Sequence, residues 1–169
     1  MITANFKNIL KDILQRYSVY GAYPLKTTSN VTRYTTGAAP TPIGLTVATQ
    51  VSGAGIHIGS GSTPPTENDY RLENMITSGF TGSVNYSHHI DQGVHSLVYD
   101  ITITNTSNAD ITISEIGYAV QAQCAYSIGG TSSENGTVLY DRTVLASPVT
   151  IAAGDYETIR YTLKTVDVV

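Results

Sequence analysis

Four side chains that could ligate a metal ion lie close together in the stretch SHHIDQGVH. They are His88, His89, Asp91 and His95. Imidazole and carboxylate groups suit Zn²⁺ or a similar divalent ion, and a turn at Gly93 could fold His95 back toward the histidine pair. The spacing matches no known ligand pattern, however, and adjacent histidines on a strand point to opposite faces. We therefore favour a polar loop or edge strand over a metal site. An ion held on an oligomer axis by one histidine from each subunit is a further alternative.

A second stretch, GIHIGSGSTPPT, begins like a phosphate-binding loop, with glycines at Gly55, Gly59 and Gly61. Such a loop needs backbone N–H donors and, in its Walker form, a lysine followed by serine or threonine. Pro64 and Pro65 instead remove two donors and prevent an immediate helix. We predict that the glycines let a strand turn sharply, that the prolines stiffen its exit, and that no nucleotide binds.

Hydrolysis would need two carboxylates, or a nucleophile with its base, converging on one cleft. The candidate carboxylates are spread among predicted strand ends and turns, and no GxSxG elbow occurs. They are Asp69, Glu73, Asp100, Glu115 and Asp141. The single cysteine, Cys124, is best explained as a small buried or half-buried apolar residue. We expect no catalytic residues and no enzymatic activity.

The composition is that of one β-rich domain. The 169 residues can build a core without disulfide or metal support, and 12 tyrosines with 24 threonines favour strands. The formal charge is −4 and the nine lysines and arginines are scattered, so we expect no nucleic-acid partner. Lys7, Lys11 and Asp12 interrupt the N-terminal apolar pattern, which argues against a secretion signal. No apolar run approaches the ~20 residues of a membrane span.

The element that begins the chain is predicted to be an amphipathic helix. Apolar residues recur at spacings of three and four in the first 17 residues, and Thr3 or Asn5 can serve as the N-cap. These apolar residues are Phe6, Ile9, Leu10, Ile13, Leu14 and Tyr17. The helix needs an apolar cover on one side only. That cover is either the chain's own β body or a neighbouring subunit.

Residues 23–54 are rich in Thr, Ala, Pro and Gly, and Pro24, Pro40 and Pro42 forbid a regular helix there. We interpret this segment as an extended arm with one or two short edge strands, including a possible strand from Leu45 to Val51. An arm of this length is unusual inside a compact domain. Its expected use is therefore to lie along another surface.

The second half has the alternation of antiparallel strands. Leu97, Tyr99, Ile101 and Ile103 occupy one face of LVYDITITN, and ITISEIGYAVQ repeats the pattern, so we predict that these two strands form a hairpin. VLYDRTVL then leads through a turn containing Pro148 to a last strand. The predicted fold class is mainly β: an antiparallel β-sandwich, immunoglobulin-like or jelly-roll-like, with an N-terminal amphipathic helix and an extended arm. The predicted divisions are a helix at 1–22, the arm at 23–54 and the sandwich at 55–169.

Three segments in this order resemble a group of small virion proteins of tailed bacteriophages: NFKNIL, IGSGSTPPTENDYRLENMI, and ITNTSNADITISEIGYAV with LYDRTVLASPVTIAAGDYETIRYTL. The hallmarks of that group are a GxGxTxPTxxDxxLxxxI segment, a hairpin ending in Glu-Ile-Gly, and a closing strand pair with Asp-Arg-Thr, Pro-Val-Thr-Ile and Ala-Gly-Asp. The matching residues here are Gly59, Gly61, Thr63, Pro65, Thr66, Asp69, Leu72 and Ile76, then Glu115, Ile116 and Gly117, then Asp141, Arg142, Pro148, Ala153 and Gly154. Residues 26–51, the histidine stretch and residues 165–169 depart from the pattern.

The resemblance implies a structural virion protein without catalytic residues or cofactors, made in the bacterial host cytoplasm. Its expected partners are other virion proteins, namely neck, tail or capsid subunits, and further copies of itself in a homo-oligomer; no membrane is expected. We place it at the neck or tail. A capsid-decorating protein or head fibre is one alternative, and a host-surface or carbohydrate-binding module is another, from a different class.

Docking on other virion proteins is expected through the helix and the arm, where large amphipathic tyrosines suit protein contacts. The subunit-interface candidates are Phe6, Ile9, Leu10, Ile13, Leu14, Tyr17, Tyr20, Tyr23 and Tyr34. Packing of these tyrosines on the chain's own domain is the alternative.

Overall fold

A computed structural model describes residues 1–14, 23–36, 47–51, 53–91, 94–128 and 132–164. Within these ranges the chain forms one helix, α1 (Ala4–Leu14), and eight strands. The strands are β1 (Pro24–Lys26), β2 (Thr32–Thr35), β3 (Gly55–Gly59), β4 (Phe80–Asp91), β5 (Val94–Asn105), β6 (Ile111–Ala125), β7 (Ser133–Ile151) and β8 (Tyr156–Lys164). The prediction of a mainly β chain with antiparallel sheets is confirmed.

The strands form two sheets. In the first sheet the order is β1-β2-β6-β3, and β7 pairs with the other side of β6; in the second sheet the order is β4-β5-β8. All strand pairs are antiparallel. Antiparallel pairing allows one face of each strand to be apolar and the other polar, which fits the alternation read from the sequence.

Both sheets contribute to one apolar core. Ile58 of β3 and Ile116 of β6 meet Ile101 of β5 there, and all three are fully buried. The predicted alternation of β5 is correct, because Tyr99, Ile101 and Ile103 are buried while Asp100 and Thr102 on the other face are half-exposed. Each fully buried isoleucine contributes about 1.5–3 kcal/mol to folding, so the rows of isoleucine hold the sheets together.

The predicted hairpin between β5 and β6 is wrong. β5 pairs with β4 and β8, whereas β6 pairs with β2, β3 and β7, so the connection Thr106–Asp110 crosses from one sheet to the other. The side chain of Asn105 supports this crossing: its Nδ2 donates to the carbonyls of Ala109 and Ile151, at 2.8 and 2.9 Å. Alternation identifies which face of a strand is buried, but it does not identify the partner strand.

Pro148 was predicted in a turn and lies instead within β7. The pairing of β7 with β6 shifts from Ile113↔Val149 to Glu115↔Val144, so residues 145–148 lie opposite a single residue, Ser114. Such a bulge removes the need for a ladder hydrogen bond at every residue, and proline is tolerated there.

The N-terminal helix packs against its own first sheet. Thr3 precedes α1, and its Oγ1 accepts the Phe6 N–H at 3.5 Å, as expected of an N-cap. Asn5 instead binds the backbone of Lys26, as acceptor and as donor, both at 2.8 Å. Ile9 is only 5% exposed and belongs to a second apolar cluster with Leu25 and Val138. The part of the predicted helix beyond Leu14 lies outside the described residues.

The described parts of the predicted arm extend the first sheet. β1 and β2 form a hairpin whose second strand pairs with β6 at Tyr34↔Ala125, and Thr27 bridges to Val138 of β7. Further along, Val47 makes an isolated parallel bridge with Ile56, but residues 47–51 form no strand. Leu45 and the residues just before it lie outside the described ranges.

The packing of α1 gives a direct test with a matched control. Ile9→Ala removes a buried side chain from the second cluster and should lower the free energy of unfolding by about 3 kcal/mol. The control is Leu10→Ala, because the side chain of Leu10 is 44% exposed. This substitution should change the free energy of unfolding by less than about 0.5 kcal/mol. Urea unfolding of both variants measures the difference. Equal effects would contradict the packing of this helix on its own sheet.

Candidate functional site

A buried carboxylate lies where the motif segments meet. Glu115 on β6 is fully buried and accepts four hydrogen bonds. Its Oε1 accepts the N–H groups of Gly61 and Asn74, at 3.1 and 2.8 Å. Its Oε2 accepts the Glu73 N–H at 3.1 Å and Nε of Arg142 at 2.8 Å. A buried charge is tolerated only with such partners, so Glu115 fixes the backbone of residues 61–74 against β6.

Arg142 on β7 connects this carboxylate to two others. Its side chain is 4% exposed; Nη1 lies 2.8 Å from Asp69 Oδ2, and Nη2 lies 3.6 Å from Glu73 Oε2. Burial alone would lower the pKa of Arg142, but the hydrogen bonds to Asp69 and Glu115 raise it. The guanidinium therefore stays charged and links β6, β7 and the 61–74 segment. We call Glu115, Arg142, Asp69 and Glu73 the carboxylate–arginine cluster.

Two glycines are required because backbone passes directly over Glu115. A Cβ on Gly59 would lie 2.5 Å from Glu115 Oε1 and 2.7 Å from the Asn74 carbonyl oxygen. A Cβ on Gly61 would also lie 2.5 Å from Oε1 and 2.6 Å from Cβ of Glu73. The glycines thus permit close approach to a carboxylate, which is a different role from the sharp turn predicted for them.

The loop that looked like a phosphate site does bind an anion, and that anion is the side chain of Glu73. Glu73 Oε2 accepts the N–H groups of Ser62 and Thr63, both at 2.9 Å, and its Oε1 accepts Thr63 Oγ1 at 2.7 Å. These are the donors that a phosphate would use. The loop is closed by the chain's own carboxylate.

Both outer carboxylates of the cluster have lowered pKa values. For Asp69, burial raises the pKa, but hydrogen bonds from Thr66 and from Arg142 outweigh it and lower the pKa below its ordinary 3.8. For Glu73, the hydroxyl and N–H of Thr63 lower the pKa below its ordinary 4.5. Both groups are therefore ionised at neutral pH, and neither is suited to general acid catalysis there.

The geometry of the cluster suits a structural link between chain segments better than it suits a catalytic site. Glu115 and Arg142 are 0% and 4% exposed, so no substrate reaches them without opening the fold. Nη2 of Arg142 is buried without a hydrogen-bond partner within normal range, and Glu73 is the nearest acidic group to it. What the arrangement does is join a long irregular segment to two neighbouring strands.

A second polar group, Asp141, lines an apolar groove of about 930 Å³. Asp141 is 6% exposed; Tyr161 donates its hydroxyl to Oδ2, Thr143 Oγ1 lies 3.1 Å from the same oxygen, and the Met1 amino group lies 3.0 Å from Oδ1. The groove is lined by aromatic and aliphatic side chains of both sheets and α1. They include Phe6, Leu97, Tyr118, Tyr140 and Leu163.

The nine predicted interface residues fall into three groups. Ile9 is buried in its own chain, and Phe6 packs edge-on against Tyr140 at 5.1 Å between ring centroids. Leu10 is exposed, while Tyr23 and Tyr34 are half-buried. The side chains of Ile13 and Leu14, and all of Tyr17 and Tyr20, lie outside what the structure describes.

The histidine stretch forms the distal part of the hairpin β4–β5. His88 lies opposite Leu97 and lines the groove, and Nε2 of the exposed His89 lies 2.9 Å from Ser87 Oγ. Among the side chains that the structure describes, no group of three potential ligands is placed to hold a metal ion. Asp91 and His95 are in β4 and β5, but their side chains are not among those described.

The contact between the buried side chains of Glu115 and Arg142 was not predicted from the sequence. The available signal was a glutamate inside the apolar pattern ITISEIGYAV and an adjacent Asp-Arg pair inside VLYDRTVL. The other missed site is His57, which is fully buried with Nε2 2.6 Å from the Gly53 carbonyl oxygen. Burial lowers the pKa of His57, which favours a neutral ring.

No known protein family, curated protein or solved structure matches this chain. The described residues contain no helix that is long and apolar enough to cross a membrane.

The carboxylate–arginine cluster predicts a large difference between two arginine substitutions. Arg142→Met leaves Glu115 buried without its cationic partner, and should lower the free energy of unfolding by about 3 kcal/mol or more. Arg160→Met is the control, because Arg160 pairs with Asp100 on a strand surface where its side chain is 71% exposed; its cost should be below about 1 kcal/mol. Urea unfolding at neutral pH measures both. Similar small losses would mean that Glu115 is not held as described.

The lowered pKa values of Asp69 and Glu73 predict acid sensitivity. Their folded-state pKa values lie below their unfolded values, so the unfolded state binds more protons and stability is lost as pH falls below about 4.5. Asp69→Asn removes one of these groups, so its unfolding free energy should fall less between pH 5 and pH 3 than that of the wild type. An unchanged acid slope would contradict the linkage between Asp69 and Arg142.

Proposed function

We propose that this chain is a non-enzymatic structural component of a tailed-bacteriophage virion, at the neck or tail. One observation carries the proposal. Residues from the three hallmark motifs of the phage proteins meet in the carboxylate–arginine cluster: Asp69 comes from the first motif, Glu115 from the second and Arg142 from the third. Motif residues that contact one another in the protein interior support a shared fold. Motif residues around an open cleft would instead support a shared catalytic or binding activity.

The proposed scaffold is a β-sandwich. We infer it from the core that both sheets share and from the segment that Glu115 holds across the first sheet. A rigid body of this kind suits a particle subunit, because many identical copies add weak contacts through multivalency. Ile9 faces its own core, so the interface that we propose on α1 centres on the exposed Leu10 and on the residues after Leu14.

A specific observation also supports one second candidate. The groove that Asp141 lines is also lined by Tyr118 and Tyr140. Concave sites lined by aromatic side chains commonly bind small molecules, and carbohydrates are such ligands for β domains. A host-surface or carbohydrate-binding module is therefore the alternative function. A capsid-decorating protein or head fibre is the alternative position within the structural class.

Composition of purified particles tests the proposal. Particles of the phage that encodes this chain, purified on a density gradient and washed at high salt, should contain it at a fixed copy number by quantitative mass spectrometry. Imaging of the same particles should place its density at the neck or tail. Density on the capsid surface would favour decoration instead.

The control for the alternative uses the free chain. Recovery of the chain only outside particles, together with binding to host-envelope glycans that Tyr118→Ala weakens, would contradict the structural role. Ser133→Ala, on an exposed strand residue away from the groove, is the matched substitution that should leave glycan binding unchanged.

A further inference from the structure

Strand β4 lies at one edge of the second sheet. Within the part of the chain that the structure describes, its strand partner is β5 alone, in an unbroken register from Phe80↔Asn105 to Asp91↔Val94. Every second residue of such a strand points its N–H and C=O away from the sheet. Among the residues that the structure describes, no strand or bridge occupies that side of β4. At 12 residues, the edge is about twice the usual strand length.

The composition of β4 lacks the usual protection of an edge strand. From Phe80 to Ile90 it contains no Asp, Glu, Lys, Arg or Pro. The opposite edge of the same sheet, β8, contains Glu157, Arg160 and Lys164. Charged residues and prolines are the common means of blocking edge-to-edge pairing, so β8 is guarded and β4 is open.

Exposed apolar side chains accompany this open edge. Tyr86 and Ile90 are each 62% exposed, on the same face of β4 as the buried Phe80, and Leu97 beside them on β5 is 38% exposed. A strand added to β4 would cover part of this surface as well as satisfying the outward backbone groups.

We propose that β4 pairs antiparallel with β4 of a second copy of the chain, which joins two three-stranded sheets into one six-stranded sheet. Residues 80–90 of β4 carry no Asp, Glu, Lys or Arg, so this stretch meets its own copy without like-charge contacts between such residues. A two-fold axis perpendicular to the sheet leaves the faces of both copies that carry Tyr86 and Ile90 on the same side, so the apolar surfaces become continuous. The pairing uses the same edge of each copy, so it closes as a dimer. The proposal does not depend on the virion role.

Matched lysine substitutions at the two edges test the pairing. Ser83 and Ser87 on β4 lie in the same cross-strand rows as Thr158 and Thr162 on β8, through Thr102 and Val98 of β5. Sedimentation velocity of the full chain should show a concentration-dependent dimer. Ser83→Lys with Ser87→Lys should raise the dimer Kd about tenfold or more, because like charges then face each other. Thr158→Lys with Thr162→Lys adds the same charge at the guarded edge and should leave Kd within about twofold.

Hydrogen exchange on the unmodified chain gives a second measurement that does not rely on variants. Alternate amides of β4 should become more protected as protein concentration rises, while those of β8 should not change. A monomer at all concentrations, or β4 amides protected equally at low and high concentration, would overturn the proposal. A dimer weakened equally by both lysine pairs would also overturn it.

Discussion

The structure depends on the burial of one carboxylate side chain beside an arginine. Glu115 sits inside the first sheet, where an unpaired charge would cost far more than any single side chain contributes, so its partners must be in place whenever the protein is folded. Those partners are one guanidinium and three backbone N–H groups from Gly61, Glu73 and Asn74. The need to satisfy Glu115 thereby determines where an irregular segment lies, and it allows only glycine at positions 59 and 61.

The same need explains why a loop whose sequence resembles an anion-binding site is occupied by a carboxylate of its own chain. Its N–H groups bind Glu73, Glu73 faces Arg142, and Arg142 binds Glu115. Each group supplies the counter-charge or the donors that the next one lacks. A cluster of this kind defines a single arrangement of strands β3, β6 and β7, since a one-residue slip of β6 would move Glu115 to the other face.

The sequence predicted features that depend on local pattern. The alternation of β5, the N-terminal helix with Thr3 as one of its two candidate caps, and the apolar character of Cys124 all follow from residues close in sequence. The sheet assignments did not follow, because β5 and the first residues of β6 both alternate and nothing local shows that Asn105 redirects the chain to another sheet. Glu115 and Arg142 are 27 residues apart, and only the bulged pairing of β6 with β7 brings them together. Whether Ile9 packs in its own core or against a neighbouring subunit was also undecided from the sequence. The pattern of an amphipathic helix shows which face is covered but does not show what covers it.

Native-state hydrogen exchange of three amides tests the central claim most directly. The N–H groups of Gly61, Glu73 and Asn74 donate to the buried Glu115, whereas those of Ser62 and Thr63 donate to the partly exposed Glu73. The account predicts that the first three exchange only with global unfolding, at the rate of the central β6 amides, and that Ser62 and Thr63 exchange much faster. If Gly61, Glu73 and Asn74 exchanged as fast as Ser62 and Thr63, the segment would not be fastened by Glu115, and the account would be contradicted.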